Sequence, residues 1–165
     1  MSSSFVGVDV TSPTTSFATP CVLLTYNYVE VNCPLGNGYT YHSSTDSCIK
    51  AYNSNPAKYS VAKTKCQQEG TELVSIKNFY KWQFVSTIIG MAGNNYYYIQ
   101  GTKDGNGVWK LDDGYAMTYF IWGSGEPTPV SANENHVILW SADFAKMYDG
   151  SGTVMYGYIY ELVPI

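Results

Sequence analysis

Glu126 and Glu134 stand eight positions apart in a stretch with no hydrophobic period, and Asp149 follows further along the chain. Two carboxylates facing one sugar bond are the minimum equipment of a glycosidase. A pair carried on an irregular segment, however, lacks the rigid support that catalysis needs. Three solvated loop carboxylates on an acidic protein are the plainest alternative. No Gly-x-Ser-x-Gly or His-Glu-x-x-His pattern offers an activated nucleophile or a metalloprotease helix. His42 and His136 stand alone, without the cysteine or histidine cluster of a transition-metal centre. Asp104-Gly105-Asn106-Gly107 begins like a calcium-binding EF-hand loop but lacks the downstream glutamate, so a β-turn is expected there. Asn133 and Asn135 could contact a sugar or cap a turn. The chemistry read from these residues is binding, and no enzyme is expected.

The elements that must position them alternate in character. Val22 to Val31 is rich in β-branched and aromatic residues and reads as a strand, followed by a turn over Cys33 to Gly38 and a second strand from Tyr39 to His42. From Asn55 to Gly70 the period becomes helical, with Asn55-Pro56 as its start, Tyr59, Ala62 and Cys66 on one face, and Gly70 as its stop. A second helix is expected from Asn78 to Ile89. Strands then follow at Tyr96 to Gln100, Val108 to Leu111, Val137 to Trp140 and Tyr156 to Leu162. Residues Gly123 to Asn135 show no period and read as one long loop, which in a compact domain is more often functional than accidental. Strands, two helices, then strands with a long irregular loop make an α+β fold.

The chain has 165 residues, 45% of them hydrophobic and 13% charged, enough for one core. Residues 1–20 are rich in Ser, Thr and Pro and read as a flexible tail, leaving 21–165 as the domain. A net charge of -4, with nine Lys and Arg in no run, leaves no footprint for nucleic acid. No stretch approaches the ~20 apolar residues of a membrane span. Met1 is followed by three serines rather than by basic and apolar segments, so no leader is read there. Cys21, Cys33, Cys48 and Cys66 lack metal-type spacing and read as disulfide cysteines of an oxidising, extracellular compartment. Sixteen Tyr suit strands, and also surfaces that face sugars. Trp122 and Trp140 are expected in the core.

A chain of motifs in order carries a family likeness: Cys33-Pro34-x-Gly36 with Tyr39 and Cys48; Ala62-x-x-x-Cys66, Gly70, Leu73 and Ile76; Tyr98-Ile99-Gln100-Gly101; then Trp109, Gly114, Met117, Tyr119 and Trp122; Gly125-Glu126-Pro127; and Tyr158-Ile159-Tyr160-Glu161. Over roughly Cys33 to Leu162 the chain resembles the C-type lectin-like domain family, in its long form with an N-terminal hairpin. The resemblance implies two helices, antiparallel strands, a long ligand loop, and a disulfide between Cys33 and Cys48. Two family disulfides cannot form. Tyr160 stands at the partner position of Cys66, and His136 stands in Glu134-Asn135-His136-Val137 where the family has Glu-Asn-Cys-Val, with no cysteine near Gly152. Cys21 with Cys66 is the residual pairing; a free Cys66 with an intermolecular Cys21 bridge, and hence an oligomer or matrix protein, is the other.

In calcium-dependent relatives the ion is held by a Glu-Pro-Asn motif, a later Glu and an Asn-Asp pair, and it chelates two sugar hydroxyls. The likeness therefore implies Glu126, Glu134 and Asp149 as calcium ligands, with Thr128, Asn133, Asn135 and Tyr148 beside them in the ligand site. It also implies a cis bond before Pro127. Thr128 and Tyr148 replace carbonyl-bearing residues, which weakens a calcium site, since calcium takes six to eight hard oxygen ligands. The expected function is calcium-assisted binding of a glycan or glycoprotein in recognition or defence, the rival being calcium-independent binding of a protein partner by the same face.

Overall fold

The structure, a computed structural model, describes residues 33–91, 93–128 and 133–162. The tail, the expected strand from Val22 to Val31, Cys21, the start of the domain and the middle of the long loop lie outside the described residues. After a 3-10 turn at Leu35–Asn37, the elements are β1 (Thr40–His42), β2 (Ser47–Ala57), α1 (Tyr59–Gln68), β3 (Thr71–Leu73), α2 (Phe79–Gly90), β4 (Tyr96–Lys103), β5 (Trp109–Lys110), β6 (His136–Trp140), β7 (Lys146–Gly150) and β8 (Tyr156–Leu162). The strands form one sheet in the order β1-β2-β8-β4-β6-β7, with β3 also on β8 and β5 on β4. Among the described strands the pairings are antiparallel except that of β4 with β8, which is parallel at Tyr97 with Gly157 and Tyr98 with Tyr158.

The first helix begins later than Asn55-Pro56 suggests. β2 runs through those residues to Ala57, its last turn-like stretch exposed and out of register with β8 between Tyr52 and Ala57. The second helix starts as read, because the Asn78 side chain accepts the Lys81 amide at 2.9 Å and caps it. Strands β4, β6 and β8 are apolar on both faces because each is covered twice. On one side α2 supplies Phe84, Val85 and Ile89 against Ile49, Tyr97, Ile99, Leu139, Met147 and Ile159. On the other, α1 supplies Tyr59, Ala62 and Cys66 against Leu73, Tyr98, Ile138, Tyr158 and Tyr160. Tyr97 and Tyr98, neighbours in sequence, thus enter opposite layers, as the two-residue period of a strand requires.

Cys33 and Cys48 are joined by a disulfide that closes the N-terminal hairpin. Cys66 is a free thiol sealed in the α1 layer, in the same cluster as Tyr160, and its expected partner Cys21 lies outside the described residues. Burial, with the charge of Glu69 adding to it, pushes that thiol up to about 12, so it behaves as a small apolar group. Trp122 packs against the α2-side core, while Trp140 is half-buried, stacked on Tyr96 and bonded through its ring nitrogen to Asn94 at 2.7 Å. Among the described residues no helix is long and apolar enough to cross a membrane.

Glu161 of β8 anchors the N-terminal end of α2. Its Oε1 pairs with the Lys81 ammonium, which also donates to Ser47 Oγ at 2.6 Å, and its Oε2 accepts the Ser75 amide at 3.2 Å. Removing one member of so enclosed a pair leaves the other charge without compensation. Lys81→Met is expected to lower stability by about 3 kcal/mol in urea unfolding, and Lys81→Met with Glu161→Leu to recover a good part of that loss. A single-variant loss within experimental error would show the pair to be dispensable.

Candidate ligand site

The chain enters the long loop along β7. Met147 donates its amide to the Ile121 carbonyl at 2.8 Å and accepts the Gly123 amide at 2.9 Å. Gly123 is required there: a Cβ would lie 2.3 Å from the Tyr148 ring. A turn closed by the Glu126 amide on the Gly123 carbonyl at 3.2 Å leads into the Glu126-Pro127 bond, which is cis. The next residue is tied to β7, since the Thr128 amide donates to Asp149 Oδ1 at 2.9 Å. On the return, Asn135 accepts the Lys103 amide at 2.9 Å and β6 begins at His136, with Val137 opposite Asp149. The ends of β4, β6 and β7 therefore lie side by side beneath the loop.

Thr128 is the meeting point. Its hydroxyl lies 2.9 Å from Glu134 Oε2 and 3.3 Å from each oxygen of Asp149. One hydroxyl proton serves one acceptor at a time, so the carboxylates share it. The Asp149 side chain is wholly enclosed, and the Lys103 ammonium lies 3.7 Å from its Oδ2. Glu126 completes the group. Burial first, then its hydrogen bond to Asp149 and the negative charge of that residue, push its carboxyl up to about 7, while its buried Oε2 has no hydrogen-bond partner. Burial alone would raise Asp149 too. Hydrogen bonds from Glu126 and from the Thr128 amide and hydroxyl, and the Lys103 charge, outweigh it and hold that carboxyl below its ordinary value. Of the two, Glu126 therefore takes up a proton more readily than Asp149.

Glu126, Thr128, Glu134 and Asp149 are thus brought together, whereas the other expected site residues are not joined to them by side-chain bonds. Tyr148 alternates with Asp149 on β7 and props the loop from beneath, its hydroxyl donating to Asp143 at 2.7 Å. Asn133 and Asn135 line a separate open groove of about 530 Å3 with Tyr59, Ser60, His136 and Ser151. At the position of the absent loop disulfide the His136 ring packs on Tyr59, with centroids 4.2 Å apart, and lies over Gly152, where a Cβ would come within 2.5 Å of it. Lys103 was not singled out by sequence; its role depends on Asp149, far along the chain, and no local pattern marks it.

Among the described residues no three acidic, cysteine or histidine groups stand ready-made around a metal position. The donor chemistry nonetheless suits a hard divalent cation: three carboxylates and a hydroxyl converge, and one buried carboxylate oxygen is left without a partner. Glu126, Glu134 and Asp149 would hold the ion, with Thr128 beside it.

The family profile described as Lectin C-type domain matches residues 55–159. A search of curated proteins gives no match. Among solved structures, human lithostathine superposes with a TM-score of 0.71 at 22% identity, covering 82% of this chain and 94% of its own. The C-type lectin CEL-I from Cucumaria echinata gives 0.68 at 17%, covering 79% and 96%. A calcium-independent type II antifreeze protein gives 0.65 at 19%, covering 78% and 93%. At these identities the likeness shows the fold.

Because the Glu126 carboxyl titrates higher in the folded than in the unfolded chain, its contribution to stability is complete below about pH 4.5 and is lost as pH rises through about 7. His136, lowered by burial, acts in the opposite sense, its contribution being lost as pH falls, so wild type must be compared with a variant. Glu126→Gln mimics the protonated acid. In chelator, the midpoint of Glu126→Gln relative to wild type is expected to rise between pH 5 and pH 8; a difference independent of pH would show that the Glu126 carboxyl is not raised.

Proposed function

The chain belongs to the C-type lectin domain family, and on that premise we propose that it is a secreted recognition module that binds a glycan or glycoprotein through the loop face of Glu126, Thr128, Glu134 and Asp149, assisted by calcium. The observation that carries this reading is the convergence of two carboxylates on the Thr128 hydroxyl, at 2.9 Å for Glu134 and 3.3 Å for Asp149, with the carboxyl of Glu126 against Asp149 and one of its oxygens unpartnered. So many acidic groups in an enclosed space favour a cation. Calcium, when bound, supplies open coordination positions that two adjacent sugar hydroxyls can fill. The residues themselves do the rest. Thr128 fixes the loop to β7, and Asp149 supplies a buried carboxylate on a strand. The Cys33–Cys48 disulfide supports an extracellular setting. Nothing in the arrangement supplies a supported acid and nucleophile, so the reading is binding rather than catalysis.

A second reading, calcium-independent recognition of a protein partner by the same face, is favoured by one specific observation. Lys103 and Thr128 already satisfy Asp149 within the protein, at 3.7 Å and 2.9 Å.

An ion that binds only the folded state must raise stability by mass action, by about 2.7 kcal/mol at a hundredfold excess over Kd. Calcium is expected to raise the thermal midpoint by several degrees over chelator, and Glu126→Gln to abolish the rise. Mannose-type or galactose-type sugars should then bind wild type only with calcium present. No calcium shift, together with sugar binding that chelator leaves unchanged, would reject the calcium-assisted reading.

A further inference from the structure

Lys103 is held where an external cation would have to compete with it. It ends β4, pairs with Trp109 of β5, and donates its amide to the Asn135 carbonyl at 2.9 Å. Its ammonium lies 4.7 Å from the centre of the Trp109 ring and 3.7 Å from Asp149 Oδ2. The aromatic face attracts the cation and limits where the stem can go. The lysine side chain is 24% exposed and the aspartate side chain 0%, so the ammonium is the cationic partner of a carboxylate that solvent does not reach. Other lysines near acidic groups serve elsewhere: Lys63 on Asp112, Lys77 on Asp113, Lys110 on Asp104 and Lys146 on Asp143.

Asp149 is also the carboxylate that ties together two other members of the loop group, with Glu134 joined to it through Thr128. Thr128 bonds it through amide and hydroxyl, and Glu126 shares a hydrogen bond with it. A charge beside this one residue therefore acts on the whole cluster. We propose that Lys103 is a resident counter-ion of the ligand loop, which competes with a divalent cation for Asp149 and sets the affinity of this chain for calcium. The proposal rests on the calcium reading of the same site. An ion that enters must displace the ammonium from Asp149 Oδ2 or tolerate its repulsion.

A unit charge a few ångströms from a ligand oxygen at a protein surface changes ion affinity by about tenfold or more. The test is calorimetric titration of the full chain with calcium chloride alone, on wild type, Lys103→Met, Lys103→Gln and Lys103→Arg, with thermal midpoints in chelator alongside. Lys103→Met keeps the apolar stem on Trp109, and Lys103→Arg keeps the charge. The expected result is that the Met and Gln variants bind calcium about tenfold or more tightly, and unfold at a lower temperature in chelator, while the Arg variant matches wild type. Calcium binding by the Met variant with none by wild type would support the proposal and reject the calcium reading for the natural protein. Equal calcium affinity in wild type, Met and Gln variants would overturn the proposal and leave the calcium reading intact. No calcium binding by any of them would overturn both.

Discussion

Strand β8 is the constraint on which the rest of this structure depends. Tyr156–Leu162 pairs with β2 and β3 from the first half of the chain and with β4 from its middle. These pairings span long loops, whose closure entropy is offset only when the apolar strands are covered on both faces. The alternating side chains of β8 meet that condition, with Ile159 under α2, and Tyr158 and Tyr160 under α1. Glu161 then fixes the start of α2 through Lys81 and the Ser75 amide. Once β4 is set parallel to β8, the antiparallel register of β6 and β7 follows, and with it the place of Asp149.

The ligand loop is held by packing and polar contacts where relatives of this fold use a cross-link. The Thr128 amide and hydroxyl tie the outgoing strand of the loop to Asp149. Tyr148 fills the space under Gly123, and His136 fills that over Gly152. Each contact is weaker than a disulfide but local to a different part of the loop, so the face is assembled from several small restraints. The same economy places charge. The acidic group is balanced in part by Lys103 beside Asp149, while burial and the neighbouring carboxylate raise Glu126 above its ordinary value.

Much of this was legible in the sequence, for identifiable reasons. The apolar runs of β4, β6 and β8 and the Asn78 cap of α2 are local signals, and the structure follows them. β2 was not legible. Its exposed end, Asn53 to Pro56, carries turn-forming residues, and Asn55-Pro56 looks like a helix start; what makes β2 a strand is the pairing of Cys48 to Tyr52, and of Ala57, with β8, about a hundred positions away. At the site, Glu126, Thr128, Glu134 and Asp149 were reached through a family resemblance, since spacing alone leaves solvated carboxylates as good a reading. Tyr148 enters the ligand set because the resemblance places it at the strand Asn of the family's Asn-Asp pair; in the structure its hydroxyl donates to Asp143. Lys103 gave no signal at all, because its partners come from β5 and β7.

Where a glycan binds decides whether the loop face is the ligand site. Backbone amide chemical shifts, followed while a mannose- or galactose-containing glycan is titrated into the calcium-loaded protein, test this most directly. Perturbations concentrated at Gly123 to Thr128, Asn133 to Asn135 and Asp149, and abolished in Glu126→Gln, are the result this structure leads us to expect. Perturbations confined to another face, such as the exposed Phe79, Tyr80 and Phe144, or none with any glycan tried, would contradict it.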